Sequence, residues 1–150
     1  MKFFAAVIAL VVATVVNAQV TWTDCAPGSD LNVTSMTIDP YPICAGKNLC
    51  LTIVGTLSAP ITAPSDLTIV GTFFGTTIYS QYFDLCSLVS CPVAQDTTPL
   101  EFCYPVMPGV PGGIDFVITF SSNNGNGDNL FCQTGNITFD MACNPGQIQG

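Results

Sequence analysis

Asp84-Leu85-Cys86-Ser87-Leu88-Val89-Ser90-Cys91-Pro92-Val93 holds two cysteines five positions apart, the second followed by proline. That spacing predicts a tight loop closed by a disulfide, and the runs on either side of it settle the fold. Thr77–Leu85 precedes the loop and Leu100–Val106 follows it, both strand-like. In the second run Leu100, Phe102 and Tyr104 fall on one side, and Glu101 and Cys103 on the other.

Moving back toward the N-terminus, Leu67–Phe74 joins Thr77–Leu85 through Gly75-Thr76, a plausible hairpin turn. Both runs are apolar on both faces, which suits either central strands or strands that line a cavity. Leu49–Leu57 alternates, with Leu49, Leu51, Ile53 and Leu57 opposite Thr52 and Thr56. Leu31–Ile38 is rich in β-branched residues and reads as the first strand. Cys44 and Cys50 frame a second small loop behind Pro40, Pro42 and Gly46.

Moving forward, the Pro105–Gly113 turn region precedes an alternating run, Ile114–Phe120. The Asn/Gly-rich stretch Ser121–Asn129 reads as a loop. Leu130–Met141 closes the pattern, with Ile137, Phe139 and Met141 opposite Asn136, Thr138 and Asp140. No 3.6-residue period is sustained and no repeat occurs. Seven or eight short strands separated by turns predict an all-β, immunoglobulin-like sandwich.

Residues 1–18 carry a positive start at Lys2, an apolar run from Phe3 to Val16 and a small-residue Val16-Asn17-Ala18 site. That is the pattern of a secretory signal peptide, with Gln19 as the expected mature N-terminus. The run is too short to span a membrane. The remaining residues, 19–150, are expected to form one domain of about 132 residues, large enough for a core. All 8 cysteines fall in that part, and an even count in an exported chain implies disulfides. Eight cysteines allow 105 pairings, so spacing alone leaves the connectivity open.

The formal charge is −8. Beyond residue 18, Lys47 is the only Lys or Arg, against 10 acids, and the chain has no His. Nucleic-acid binding requires phosphate-neutralising cations, so that class is excluded. Charge-driven docking on anionic membranes is disfavoured on the same ground. Without His there is no Ser-His-Asp or Cys-His arrangement. The cysteine spacings are wider than a C-x₂-C zinc knuckle, and no metal or cofactor is implied. Paired carboxylates could serve glycoside hydrolysis, but the Asp residues are scattered singly, as solubilising charges are. The chain reads as a non-enzyme. Asn32-Val33-Thr34 and Asn136-Ile137-Thr138 are glycosylation sequons, expected at the surface through Asn32 and Asn136.

What stands out is apolar content: 49% hydrophobic against 8% charged. Phe73, Phe74, Tyr79, Tyr82, Phe83, Phe102, Tyr104, Phe116 and Phe120 crowd the middle strands. The ordinary reading is a well-filled core. The functional reading is that the sheets splay slightly and the inward aromatics line a pocket for an apolar ligand. Withdrawing on the order of 300 Å² of apolar surface there is worth roughly 7 kcal/mol. That suffices for micromolar binding after the cost of association.

An ordered set of landmarks carries a family resemblance over roughly Trp22 to Met141. It begins with Trp22-Thr23-Asp24-Cys25, then Ile38-Asp39-Pro40-Tyr41-Pro42 with Gly46, then Thr52-Ile53-Val54-Gly55-Thr56-Leu57. Phe83-Asp84-Leu85-Cys86 with Cys91-Pro92-Val93 follows, then the Pro105–Pro111 turn and Asn129-Leu130-Phe131-Cys132. The chain resembles the ML-domain lipid-recognition family, which includes the Niemann–Pick type C soluble sterol carrier and fungal phosphatidylglycerol/phosphatidylinositol transfer proteins.

The resemblance implies an immunoglobulin-like sandwich with a sterol or phospholipid held between its sheets. It implies disulfides Cys25–Cys132, Cys44–Cys50 and Cys86–Cys91, which leaves Cys103 and Cys143 as the fourth pair. By inward parity on the matching strands, the pocket wall would come from Leu67, Ile69, Phe73 and Tyr82 on the central hairpin. Val93, Phe102, Tyr104, Phe116, Ile118 and Phe139 would complete it. Scarcity of Lys and Arg removes a basic patch for acidic lipid heads, which weighs against a phosphoinositide more than against a sterol. The expected protein is a monomeric, secreted or lumenal (endolysosomal or vacuolar) lipid carrier in transient contact with membranes. The alternatives are a structural or adhesion sandwich without a ligand, and a small carbohydrate-active domain using paired Asp.

Overall fold

The computed structural model describes residues 20–140. The expected signal peptide, Gln19, Met141 and Cys143 lie outside the described residues.

Eight strands and one helical turn follow in order: β1 Thr23–Asp24, β2 Leu31–Asp39, β3 Asn48–Leu57, β4 Asp66–Phe73 and β5 Thr76–Asp84, then α1 Leu85–Leu88, β6 Leu100–Pro105, β7 Asp115–Asn123 and β8 Asn129–Thr138. They form a five-stranded sheet, β1-β8-β7-β4-β5, and a three-stranded sheet, β2-β3-β6. Pairing within both sheets is antiparallel throughout. Period-two alternation explains the layers. Leu49, Leu51, Ile53 and Leu57 of β3, Leu100, Phe102 and Tyr104 of β6, and Phe116, Ile118 and Phe120 of β7 are all buried. Their neighbours along each strand point outward. The result is an all-β, immunoglobulin-like sandwich whose core is the layer between the sheets.

The Asp84–Val93 stretch forms the loop its spacing predicts. Cys86 and Cys91 are disulfide-bonded, with Cα atoms 5.3 Å apart. One turn, α1, fits inside the loop because Asp84 caps it, its carboxylate accepting from the Cys86 amide at 3.0 Å. The β4–β5 turn is Phe74-Gly75, one residue earlier than Gly75-Thr76. Phe73 pairs with Thr76, and both turn residues have positive φ, +47° and +77°. That is the geometry of a type I′ hairpin turn.

Two of the expected disulfides are corrected. Cys25–Cys132 forms, tying the chain start to β8. Cys50, however, bonds to Cys103 rather than to Cys44, and Cys103 is therefore not paired with Cys143. The physical reason is register: Cys50 and Cys103 are directly opposite on β3 and β6, with Cα atoms 4.0 Å apart. Cys44 is also disulfide-bonded.

Candidate ligand-binding site between the sheets

The inward residues of both sheets meet in one apolar layer. Leu67 and Ile69 from β4, Phe102 and Tyr104 from β6, Phe116 and Ile118 from β7, and Phe139 just past β8 are all buried in it. Val93 reaches it through a bridge to Ile61, and Phe73 packs against it half-buried. Tyr82 does not join them. It is 70% exposed, because Leu67 pairs with Phe83 and Ile69 with Gln81, and directly paired residues share a face. Phe83 takes the inward place instead, its ring centroid 5.3 Å from that of Tyr104.

Tyr79 is the inward aromatic that strand parity from Tyr82 misses. It lies opposite Gly71, where a Cβ would sit 3.0 Å from Tyr79 and 3.1 Å from the Phe116 ring. Glycine there makes room for both rings. Phe116 stacks on Phe139 with centroids 5.1 Å apart, and Tyr79 approaches Phe139 at 6.3 Å. Tyr104 meets Phe120 edge-on at 6.4 Å, and Trp22 meets the same ring at 5.7 Å. Such offset and edge-on pairs add packing energy beyond the area they bury. Among the described residues no buried side chain carries a formal charge; the buried polar ones are Ser65, Ser122, Asn124 and Gln133.

The two long margins of the layer differ. Along β5 and β6, which belong to different sheets, one side chain ties the edges together. Gln81 Nε2 donates to the Pro105 carbonyl at 3.0 Å, and Gln81 Oε1 accepts from the Met107 amide at 3.2 Å. The Tyr79 hydroxyl also donates to Gln81 Oε1. Burial pushes the Tyr79 hydroxyl up to about 12, partly offset by hydrogen bonds with Tyr104 and the Met107 backbone. Burial first, and then Tyr79 beside it, holds the Tyr104 hydroxyl well above the ordinary tyrosine range. Both phenols stay neutral at physiological pH, and their protons are already engaged, Tyr79 donating to Gln81 Oε1 and Tyr104 hydrogen-bonded to Tyr79.

The other margin, between β1 and β8 on one side and β2 on the other, is open. A cleft of about 370 Å³ lies there, lined by Val20, Trp22, Val33, Met36 and Gln133 among others. Trp22 Nε1 is buried beside it with no hydrogen-bond partner among the described residues.

Two of the acidic residues have structural partners. Asp66 accepts from the Asn123 amide and side chain, and Asp30 accepts from the side chains of Asn124 and Asn126. Both carboxylates fasten loops at one end of the sandwich. Among the described residues no group of three or more His, Cys, Asp or Glu comes together as a metal site would require.

The family model of the ML domain matches residues 19–139. The chain belongs to the ML-domain family. No curated protein matches the sequence. Among solved structures, a Niemann–Pick type C2 protein from Japanese carpenter ant aligns with a TM-score of 0.58 at 16% identity, covering 80% of this chain and 99% of the other. Chicken MD-1, solved in complex with lipid IVa, aligns with a TM-score of 0.56 at 17% identity, covering 80% of this chain and 89% of that one. At these identities the likeness is one of fold.

Proposed function

We propose that this protein binds a single lipid between its two sheets and carries it between membranes, without covalent chemistry. The observation that carries this reading is the intersheet layer itself. It is lined by aromatic and aliphatic side chains, contains no charged group among the described residues, and is fastened along its β5–β6 margin by one side chain. A sterol or a phospholipid of the phosphatidylglycerol/phosphatidylinositol type would place its apolar body among Leu67, Ile69, Phe102, Phe116, Ile118 and Phe139. A single ligand hydroxyl would donate to a phenol oxygen of the Tyr79–Tyr104 pair, whose own protons are shared with each other and with Gln81. ML-family membership and the lipid seen in chicken MD-1 support this assignment.

The disulfides suit an oxidising compartment. Together with the signal-like N-terminus they support export to the extracellular space or to an endolysosomal or vacuolar lumen, and the proposed carrier acts as a monomer. Asn32 and Asn136 are both exposed, as glycan attachment at their sequons requires.

The test is native mass spectrometry of the protein purified from a secreting host, followed by lipid extraction. A bound mass that extracts as a sterol or phospholipid supports the carrier and names its ligand class. A bare protein that also fails to take up sterol or phospholipid at micromolar concentration overturns it and leaves a structural sandwich.

A further inference from the structure

Resting on the lipid-carrier reading, we infer that the tip of the β4–β5 hairpin is the part of the molecule that enters a bilayer. The partner is a zwitterionic lipid surface, and Phe74 is the inserting side chain. Phe74 is 94% exposed. It occupies a turn position with φ +47°, where Asn, Asp or Gly is the ordinary choice. A bulky aromatic held in water by a conformation that disfavours it has no folding rationale. Its aromatic partner among the described residues is its neighbour Phe73, edge-on with centroids 4.5 Å apart.

The surroundings are consistent with insertion. No residue from Leu67 to Phe83 carries a charge, in a chain whose formal charge is −8. Topology brings further exposed apolar side chains to the same end of the sandwich. Ile78 follows the turn on β5, Val117 is adjacent to Thr72 across the β4–β7 pairing, and Met107 follows β6. A shallow hollow of about 130 Å³ beside Phe74 is lined by Thr72, Asp115, Phe116, Val117 and Asn136, so this tip can enter a bilayer only in molecules whose Asn136 sequon carries no glycan.

Charge is distributed along the long axis in the sense that favours this end. Asp30, Asp66, Asp84, Asp96 and Asp128 sit at the opposite end, where β2, β4 and β8 begin and β3 and β5 finish. Lys47 is at the Phe74 end, its carbonyl accepting from the Val106 amide at 2.9 Å. Asp39, Asp115 and Asp140 share that end, so no net positive patch forms. Attachment there comes from apolar insertion, and the surface it suits is neutral rather than anionic. The tip also flanks the end of the intersheet layer at which Phe73, Tyr79 and Phe116 lie. A lipid leaving the bilayer beside Phe74 would meet those side chains first.

The deciding experiment is flotation of the intact protein with phosphatidylcholine vesicles, comparing wild type with Phe74→Asn, both made in a host that does not glycosylate because the substitution creates an Asn-Gly-Thr sequon. Asn accepts a positive φ, so the variant keeps its turn. Circular dichroism of both proteins confirms that the fold is shared. Burial of one Phe side chain predicts a loss of vesicle affinity of about tenfold or more in the variant. Equal flotation of the two proteins, or no flotation of wild type, overturns the inference. So does a wild-type dimer in sedimentation that Phe74→Asn dissolves, since a second copy would then be the partner. Lipid loading from a cyclodextrin complex needs no bilayer and is run alongside. Its failure in wild type counts against the carrier reading alone, and its preservation in Phe74→Asn isolates the defect to docking.

Discussion

Gln81 and Pro105 are hydrogen-bonded, Nε2 to carbonyl at 3.0 Å, although they stand on edge strands of different sheets. The same amide oxygen receives the Met107 amide and the Tyr79 hydroxyl. A single side chain thus closes a margin that backbone pairing leaves open. Replacing it by Leu keeps the volume but strands a phenol, a backbone N–H and a carbonyl. Gln81→Leu is expected to lower stability by about 1–3 kcal/mol. The urea midpoint measures this, and amide exchange at Met107 should speed up in parallel. An unchanged midpoint would show that the tie contributes nothing.

The Cys50–Cys103 bridge closes a loop with a sequence separation of 53. Loop-closure entropy predicts that Cys50→Ser combined with Cys103→Ser costs roughly 4 kcal/mol. Thermal unfolding of the double variant checks the magnitude. Non-reducing peptide mapping checks the connectivity itself: a fragment joining Cys50 to Cys103 is expected, and one joining Cys44 to Cys50 would refute it.

Phe74 in the left-handed region carries a backbone penalty of about 1–2 kcal/mol that Asn or Gly does not. Phe74→Asn and Phe74→Gly are both expected to raise the unfolding free energy by about 1 kcal/mol. Denaturant unfolding without vesicles measures this separately from docking. A destabilised Phe74→Asn would mean that the ring makes folding contacts after all.

Tyr79 and Tyr104 have hydroxyls raised above the ordinary tyrosine value of 10.0, Tyr79 to about 12. A raised folded-state value means the native protein holds its protons where the unfolded chain has begun to lose them. This contribution to stability is therefore constant below pH 10 and declines as pH rises from 10 through about 12. Unfolding free energies across that range, for wild type and for Tyr79→Phe with Tyr104→Phe, should converge as the pH climbs. Phenolate absorbance should show the two hydroxyls ionising together with unfolding.

Much of the architecture was legible in alternation alone. Leu49–Leu57, Leu100–Val106 and Ile114–Phe120 each correspond to a strand, with the expected faces buried. What went astray was set by pairing rather than by pattern. Inward parity on the strands matched by the family resemblance puts Tyr82 in the layer, but a hairpin apolar on both faces takes its parity from register, and Leu67↔Phe83 sets it the other way. Phe74 hid the turn because phenylalanine is not a turn residue. The Cys44–Cys50 pairing drew on family likeness, whereas a signal for Cys50–Cys103 was present in the strands. Both cysteines sit between inward apolar residues, so both face outward, on strands that prove to be neighbours. Gln81 left a fainter signal, as the lone amide between Tyr79 and Phe83 at inward parity. Its role as a tie depends on where β6 runs, which no local pattern contains.

Trp22 is the only tryptophan of the chain. Its ring rests on Phe120 of the five-stranded sheet, and it shares the open cleft with Val33 and Met36 of the three-stranded one. Its indole N–H is buried with no hydrogen-bond partner among the described residues, while the rest of the ring is half-buried at the cleft. The molecule therefore carries its own optical gauge at the β1–β2 margin. Parting of the sheets there would wet the indole and redden its fluorescence, so opening can be timed on unlabelled protein.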